Sequence, residues 1–188
     1  MFFKHQFTNF TIEIRDNMDD NFSPRVKDVI TYSKEEALRL GHDFIGTEHL
    51  MLGIWRDGNG KAINILNNLS IDLNLLRRKV EVLIPASPTM DTNNEKKNLH
   101  LTRQAERALK TTFLEAKVFH STSISTAHLL LCILRNENDP TTKLLNKLNI
   151  DYDVAKEQYL NMTPNEEDFI ENLPRNESYN DDSGQDDS

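Results

Sequence analysis

The stretch GHDFIGTEHLMLGI, residues 41–54, decides the organisation of the chain, because a second version of it, HSTSISTAHLLLCI, stands at residues 120–133. His49 and His128 occupy the same place in the two stretches, an offset of 79 residues. This offset holds outward without a gap and pairs Glu36-Ala37 with Glu115-Ala116, Thr47 with Thr126, Arg56 with Arg135, and Ile71-Asp72 with Ile150-Asp151. The sequence therefore contains an internal duplication, with one repeat at 21–84 and the other at 101–162.

Each repeat has the pattern of four helices. Ser23-Pro24 predicts an N-cap hydroxyl followed by proline at the first helical position, and Thr102 opens the corresponding helix of the second repeat. The second helices are predicted to begin at Thr47, whose hydroxyl we interpret as an N-cap, and at Thr126. Both are apolar nearly all round, as buried helices are. The other helices are predicted to begin near Asn59-Gly60, Asp72, Asp139-Pro140 and Asp151. No useful length alternates with period two, so we expect an all-α fold without a sheet.

Three segments lie outside the repeats. Residues 1–20 have no clear helical period and are expected to be a poorly ordered extension, with Met18 as an alternative start. Residues 85–100 contain two prolines and many polar residues, which is typical of a linker. Residues 163–188 hold nine acidic residues and one basic residue. With few apolar residues, this last segment is predicted to be a disordered acidic tail or linker.

Charge and composition narrow the class of protein. The net charge of −8 is that of the acidic tail alone, so residues 1–162 are balanced. A balanced surface argues against nucleic acid or an anionic membrane as partner. The single cysteine, Cys132, suits a reducing compartment, and no apolar run approaches the ~20 residues of a membrane helix. Since the N-terminus also lacks the apolar core of a signal peptide, we expect a cytoplasmic protein.

The Gly-Thr-Glu-His corner before the central helix has two interpretations. In the first it only begins a helix, with Thr47 as cap and Glu48 at the positive end of the helix dipole. In the second, the N–H groups of the helix N-terminus bind an anion while the Glu48 carboxylate binds a cation, so that the ligand carries both charges. The second repeat lacks this carboxylate, because Ala127 stands at the position of Glu48.

Metal binding and catalysis have weaker support. His42, Glu48, His49 and His128 are the candidate metal ligands, but they form no His-Glu-x-x-His motif, and adjacent helical residues point about 100° apart. Cys132 lies inside an apolar run, where a cysteine behaves as a small core residue. There is no phosphate-binding Gly-x-x-x-x-Gly-Lys-[Ser/Thr] loop. We therefore expect no metal, no cofactor and no catalytic group in this chain.

Four blocks carry a resemblance to a known family: EEALRLGHDFIGTEHLMLGI (35–54), RDGNGKA (56–62), LTRQAERAL (101–109) and STAHLLLCILRNEND (125–139). They resemble the double Clp-N (Clp R) repeat of the Clp unfoldases, most closely that of ClpC. The resemblance implies two four-helix repeats related by a pseudo-two-fold. It also implies a domain that receives substrate and adaptor proteins above a hexameric ATPase ring, which unfolds them into the ClpP peptidase. ATP and Mg²⁺ belong to the family's nucleotide-binding modules, which are not in this sequence.

In ClpC-type relatives this domain also looks like a docking site for proteins marked with phosphoarginine. The resemblance implies that Glu48, beside Thr47, contacts the guanidinium and that the first-helix starts, Ser23 and Thr102, help to bind the phosphate. Because Ala127 replaces the glutamate in the second repeat, we expect one site rather than two.

Two alternatives stay open at this stage. The chain could be a stand-alone helical adaptor that competes with such a domain, or, more remotely, a hydrolase or metal-dependent enzyme on a helical scaffold. A Walker A lysine downstream of Ser188 would distinguish an ATPase fragment from an adaptor. A metal analysis of the purified protein would test the enzyme.

Overall fold

The structure, a computed structural model, describes residues 22–86 and 99–163. The predictions for residues 1–20, for most of the 85–100 linker and for nearly all of the 163–188 tail therefore lie outside the described residues.

The helices of the described residues follow the duplication. In the first repeat they are α1 (Pro24–Arg39), α2 (Thr47–Asp57), α3 (Lys61–Asn68) and α4 (Leu73–Leu83). In the second repeat they are α5 (Arg103–Val118), α6 (Thr126–Leu134), α7 (Pro140–Lys147) and α8 (Tyr152–Met162). Each repeat thus has four helices in the same order, and the predicted all-α fold is confirmed.

Side-chain caps begin most of these helices where the sequence predicted them. Ser23 Oγ accepts a hydrogen bond from the Val26 N–H (3.3 Å), and Thr102 Oγ1 accepts one from the Ala105 N–H (3.2 Å). Asp72, Asp139 and Asp151 cap α4, α7 and α8 in the same way. Each cap gives a partner to an N–H that the first turn of a helix leaves without one.

The central helices begin at Thr47 and Thr126 as predicted, but the interpretation of Thr47 as the N-cap is wrong. Gly46 and Ser125 are the N-cap residues, and Thr47 and Thr126 are the first helical residues. The threonine hydroxyls do not cap their own helices because they bond across to the other repeat. Thr47 Oγ1 donates to Asp139 (2.8 Å to Oδ2), and Thr126 Oγ1 accepts from the Ala62 N–H at 3.1 Å.

The central helices α2 and α6 lie at the middle of one shared core. Leu50, Leu52 and Ile54 in α2 and the run 129–134 in α6 are buried. Helices α3 and α4 of the first repeat contact α6, α7 and α8 of the second. The two repeats therefore bury their apolar faces against each other, which compensates for the small core that each ~60-residue repeat has alone.

The expectation of no sheet is wrong at one place. Phe44–Ile45 (β1) pairs in parallel with His100–Leu101 (β2), so the last residue of the predicted linker and the first residue of the second repeat form a strand. An isolated parallel bridge joins Phe22 to Ile124 at the equivalent place in the other repeat. A two-residue strand is too short to give a period-two signal, and its partner lies more than 50 residues away. These pairings join the start of each central helix to the first helix of the opposite repeat.

Candidate functional site

The strand pairing builds one corner from both repeats. The Thr102 N–H donates to the Ile45 carbonyl at 2.9 Å, which places the N-terminus of α5 beside the N-terminus of α2. We call this group, Gly46, Thr47, Glu48 and Thr102, the Glu48 corner. A cavity of about 60 Å³ adjoins it, lined by Thr47 and by side chains of α5 and α6. The corner thus combines a carboxylate with the positive ends of two helices.

The equivalent contact builds a second corner around the other repeat. The Ser23 N–H donates to the Ile124 carbonyl at 2.9 Å, so the N-terminus of α1 lies beside that of α6. We call Ser23, Ser125, Thr126 and Ala127 the Ala127 corner. Of the predicted phosphate-side residues, only Thr102 therefore lies with Glu48, and Ser23 lies in the corner that lacks the glutamate.

Glu48 is a partly buried carboxylate in the first turn of α2. Burial raises its pKa, and the negative charge of Asp139 adds to the rise, while hydrogen bonds to its own N–H and to Thr47 oppose it. The carboxylate folds back over Gly46, where an added Cβ would collide with Glu48 Oε2. Gly46 has no side chain and therefore leaves room for the Glu48 carboxylate. In the Ala127 corner the equivalent residue is Ser125.

Asp139 supports the Glu48 corner from the second repeat. Its buried carboxylate accepts hydrogen bonds from the Thr141 N–H (2.9 Å) and from the Thr47 hydroxyl (2.9 Å to Oδ1). The sequence predicted Asp139 as the cap of α7 but gave no sign of its second role, because Thr47 is 92 residues away. The bond fixes the start of α2 against α7 and so positions Glu48.

A chain of hydrogen bonds through two histidines holds the first turn of α2. The Gly46 N–H donates to His49 Nδ1 at 2.9 Å, so the proton of the neutral ring is on Nε2. His49 Nε2 then donates to His42 Nδ1 (2.9 Å), and His42 Nε2 donates to the Pro85 carbonyl at 3.1 Å. Burial lowers the pKa of His49 to about 4, and His42 adds to the effect. All four ring nitrogens are thus engaged in structural bonds.

His128 repeats only part of this arrangement. Its Nδ1 accepts from the Ser125 N–H at 2.9 Å, but position 121, equivalent to His42, is a serine. Within the described residues, the buried His128 Nε2 has no hydrogen-bond partner; the ring packs edge-on against Tyr159 at 5.2 Å. Burial lowers the pKa of His128 to about 4.

The four suggested metal ligands do not come together. His42, Glu48 and His49 lie at one corner, and His128 lies at the other. Among residues 22–86 and 99–163, no group of three or more His, Cys, Asp or Glu side chains is arranged to bind a metal ion.

The Ala127 corner has a carboxylate of a different origin. Asp57, at the end of α2, pairs through Oδ1 with Arg25 at 2.8 Å. Its Oδ2 is buried without a partner in the part of the chain that the structure describes. A Cβ added at Gly60 would lie 2.8 Å from Asp57 Oδ2, so the Gly60 backbone lies close to this oxygen. The two corners therefore present different charge patterns to a ligand.

Cys132 and the Glu48 corner differ in the chemistry that they can support. Cys132 is buried, and burial raises the pKa of its thiol to about 12, so it is not a thiolate at neutral pH. The Glu48 corner offers a hydrogen-bond acceptor with negative charge next to helix N–H groups, which suits a ligand with a cationic and an anionic part.

No helix of the described residues is long and apolar enough to cross a membrane.

A family model described as the Clp repeat (R) N-terminal domain matches residues 21–148 and 101–183. A probable ATP-dependent Clp protease ATP-binding subunit of Chlamydia pneumoniae is 36% identical over 134 residues, which are 71% of this chain and 16% of that protein. The negative regulator of genetic competence ClpC/MecB of Bacillus subtilis is 32% identical over 145 residues, which are 77% of this chain and 17% of that protein. The chain thus spans about a sixth of the length of these curated relatives.

Solved structures with the same fold include other N-terminal domains. The N-domain of ClpV from Vibrio cholerae aligns with a TM-score of 0.64 and 11% identity, covering 76% of this chain and 85% of that one. The N-terminal domain of ClpD from Arabidopsis thaliana aligns with a TM-score of 0.59 and 17% identity, covering 76% of this chain and 94% of that one. At this identity the likeness concerns the fold alone.

Proposed function

The chain belongs to the Clp repeat N-terminal domain family, and on that premise we propose that it receives substrate and adaptor proteins at the Glu48 corner. We propose further that it is the N-terminal module of a longer Clp ATPase, in which ATP and Mg²⁺ bind to other modules. The ring of that ATPase would pass bound proteins to ClpP.

The single observation that carries the binding proposal is the hydrogen bond from the Thr102 N–H to the Ile45 carbonyl (2.9 Å). This bond brings the N-terminus of α5 to the start of α2, where Glu48 is. A ligand group at this place meets a carboxylate and the N–H groups of a helix start together. Phosphoarginine has the matching charges, with a guanidinium for Glu48 and a phosphate for the start of α5.

The Glu48 carboxylate is the group on which the affinity depends. A charge-assisted hydrogen bond from a guanidinium contributes roughly 1.5–3 kcal/mol, which corresponds to a tenfold to hundredfold change in affinity. The nearby Asp139 adds negative charge to the Glu48 corner, which further favours the binding of a cationic group there. The Ala127 corner keeps the helix N–H groups but has no carboxylate at position 127, so we expect one dominant site per chain.

Calorimetric titration of the chain with a phosphoarginine-bearing peptide tests this proposal. We expect one site in the unmodified protein, loss of binding by at least tenfold in Glu48→Ala, and a second site in Ala127→Glu. Glu157→Ala, which removes an exposed acid on α8, serves as the matched control and should bind as the unmodified protein does. Two equal sites in the unmodified chain, or full binding by Glu48→Ala, would contradict the assignment.

A further inference from the structure

The outward face of α5 combines basic and exposed apolar side chains. Phe113 is 39% exposed, Leu114 59% and Val118 58%. Spaced along the same side are Arg103, Arg107, Lys110 and Lys117, at intervals of three, four and seven residues that keep them on one stripe of a helix. We call these seven residues the outer face of α5.

The other repeat supplies an internal comparison. Glu35 and Arg39 of α1 occupy the positions equivalent to Leu114 and Val118. Glu35 pairs with Arg56 at 2.7 Å, and Arg39 pairs with Glu36 at 2.7 Å. The equivalent face of α1 is thus charged and internally paired. The outer face of α5 instead exposes apolar side chains with an excess of positive charge. Of the two acids on α5, Glu106 pairs with Lys110, and Glu115 is buried and pairs with Arg135.

The chain leaves the described structure close to this face. The Tyr159 ring of α8 contacts the Phe119 ring at a centroid distance of 4.8 Å, and Phe119 follows Val118 directly. The Thr163 N–H still donates to the Tyr159 carbonyl at 3.2 Å, so Thr163 lies within one turn of that contact. Thr163, the last described residue, therefore lies near the C-terminal end of α5.

The segment that starts there has the complementary chemistry. Residues 164–173, PNEEDFIENL, contain four acids, no basic residue, and three large apolar side chains at 169, 170 and 173. Of these, the residues at 169 and 173 have the i, i+4 spacing of neighbours on a helix surface. The five residues 164–168 can span up to about 17 Å, and one helical turn along α5 is about 5.4 Å. This linker is therefore long enough for position 169 to reach the outer face of α5.

We propose that residues 164–173 dock on the outer face of α5 of the same chain. Phe169, Ile170 and Leu173 cover Phe113, Leu114 and Val118, and the acids of the segment lie against Arg107, Lys110 and Lys117. The contact is intramolecular, so the short linker gives the segment an effective concentration in the millimolar range at the outer face of α5. A small number of contacts is therefore enough for the segment to dock. The segment needs no core of its own, because α5 provides the apolar surface.

Disulfide trapping in the full chain tests this docking. Leu114→Cys with Phe169→Cys should form an intramolecular disulfide under mild oxidation, as read by mass spectrometry. Two control pairs keep Phe169→Cys: Glu35→Cys is the matched position on α1, and Glu157→Cys is an exposed site on α8 near the exit point. The native Cys132 is buried and stays in all variants.

We expect the Leu114 pair to close at least tenfold faster than either control pair. Adding Arg107→Glu and Lys117→Glu, or 0.5 M NaCl, should slow it at least threefold, because the acids then lose their partners or are screened. Equal rates for the Leu114 and control pairs would overturn the proposal, as would an unchanged rate after charge reversal. A disulfide formed mainly between two chains would show that a second copy, and not the chain's own segment, occupies this face.

Discussion

The two buried histidines should make the folded domain lose stability in mild acid. His49 and His128 are 0% exposed, and burial lowers the pKa of each from an ordinary 6.5 to about 4. The unfolded chain therefore binds protons at these rings at a higher pH than the folded chain does. Their contribution to the free energy of unfolding is fully present above pH 6.5 and is lost progressively as the pH falls towards 4.

The size of this effect follows from the difference between the two pKa values. A shift of one unit corresponds to 1.36 kcal/mol, so each histidine contributes about 3 kcal/mol over the whole range. At pH 5 only part of the range has been crossed, and each loses about 2 kcal/mol. Together they should remove about 4 kcal/mol between pH 7 and pH 5, which is large beside the roughly 5–15 kcal/mol of a typical domain.

The perturbation that isolates this effect is His49→Gln combined with His128→Gln. Both residues stand three positions after an N-cap, and a glutamine there can still accept from the N-cap N–H, as in a capping box, but cannot titrate. Urea unfolding of both proteins at pH 7 and pH 5 gives the change in free energy. The unmodified protein should lose about 4 kcal/mol more than the variant between these two pH values.

The control is His100→Gln, which makes the same substitution at an exposed histidine of β2 and should leave the pH profile of the unmodified protein in place. If the double variant and the unmodified protein lose equal free energy between pH 7 and pH 5, the reasoning is refuted. The two histidines would then take up their protons in the folded state as readily as in the unfolded chain.

Other substitutions test the packing of the repeats. Gly53→Ala should destabilise the fold by about 1–3 kcal/mol in urea unfolding, because the added Cβ would lie 2.5 Å from the Val29 carbonyl; an unchanged midpoint would mean that α1 can move away. Thr47→Val should cost about 1–3 kcal/mol, since it removes a hydrogen-bond donor from the buried Asp139 carboxylate, and a neutral result would argue against that bond. Cys132 should resist a thiol reagent at pH 7.5 in the folded protein and react once it is unfolded; rapid labelling of the folded protein would contradict its burial. Thermal unfolding should give one transition because the repeats share a core, and two separate transitions would contradict this.

Much of the fold follows from local sequence. The offset between His49 and His128 gave the duplication, and Ser23, Thr102, Asp72 and Asp151 marked helix starts that the structure confirms. These signals are reliable because a cap side chain and the N–H groups that donate to it lie within three residues of each other, so the interaction is local. The same is true of the apolar runs, which predicted that the second helix of each repeat is buried.

The cap of α2 shows where local reasoning fails. Thr47 was predicted to cap α2, but its hydroxyl bonds to Asp139 in the other repeat, and His49 takes over the cap by accepting from the Gly46 N–H. A threonine hydroxyl can satisfy either partner, and a fixed distant carboxylate decides between them. No pattern near residue 47 contains that information.

By itself, the sequence determined the helices, their duplication and the family to which the chain belongs, because each of these depends on residues close together or on two copies compared at a fixed offset. The tertiary structure decided how Glu48, Ser23 and Thr102 are distributed. The pairing of Phe44–Ile45 with His100–Leu101 puts Thr102 beside Glu48, and the bridge from Phe22 to Ile124 puts Ser23 beside Ala127. The physical reason is that each repeat completes its corner with the first helix of the other repeat, and backbone hydrogen bonds between such distant segments form only when the shared core is packed.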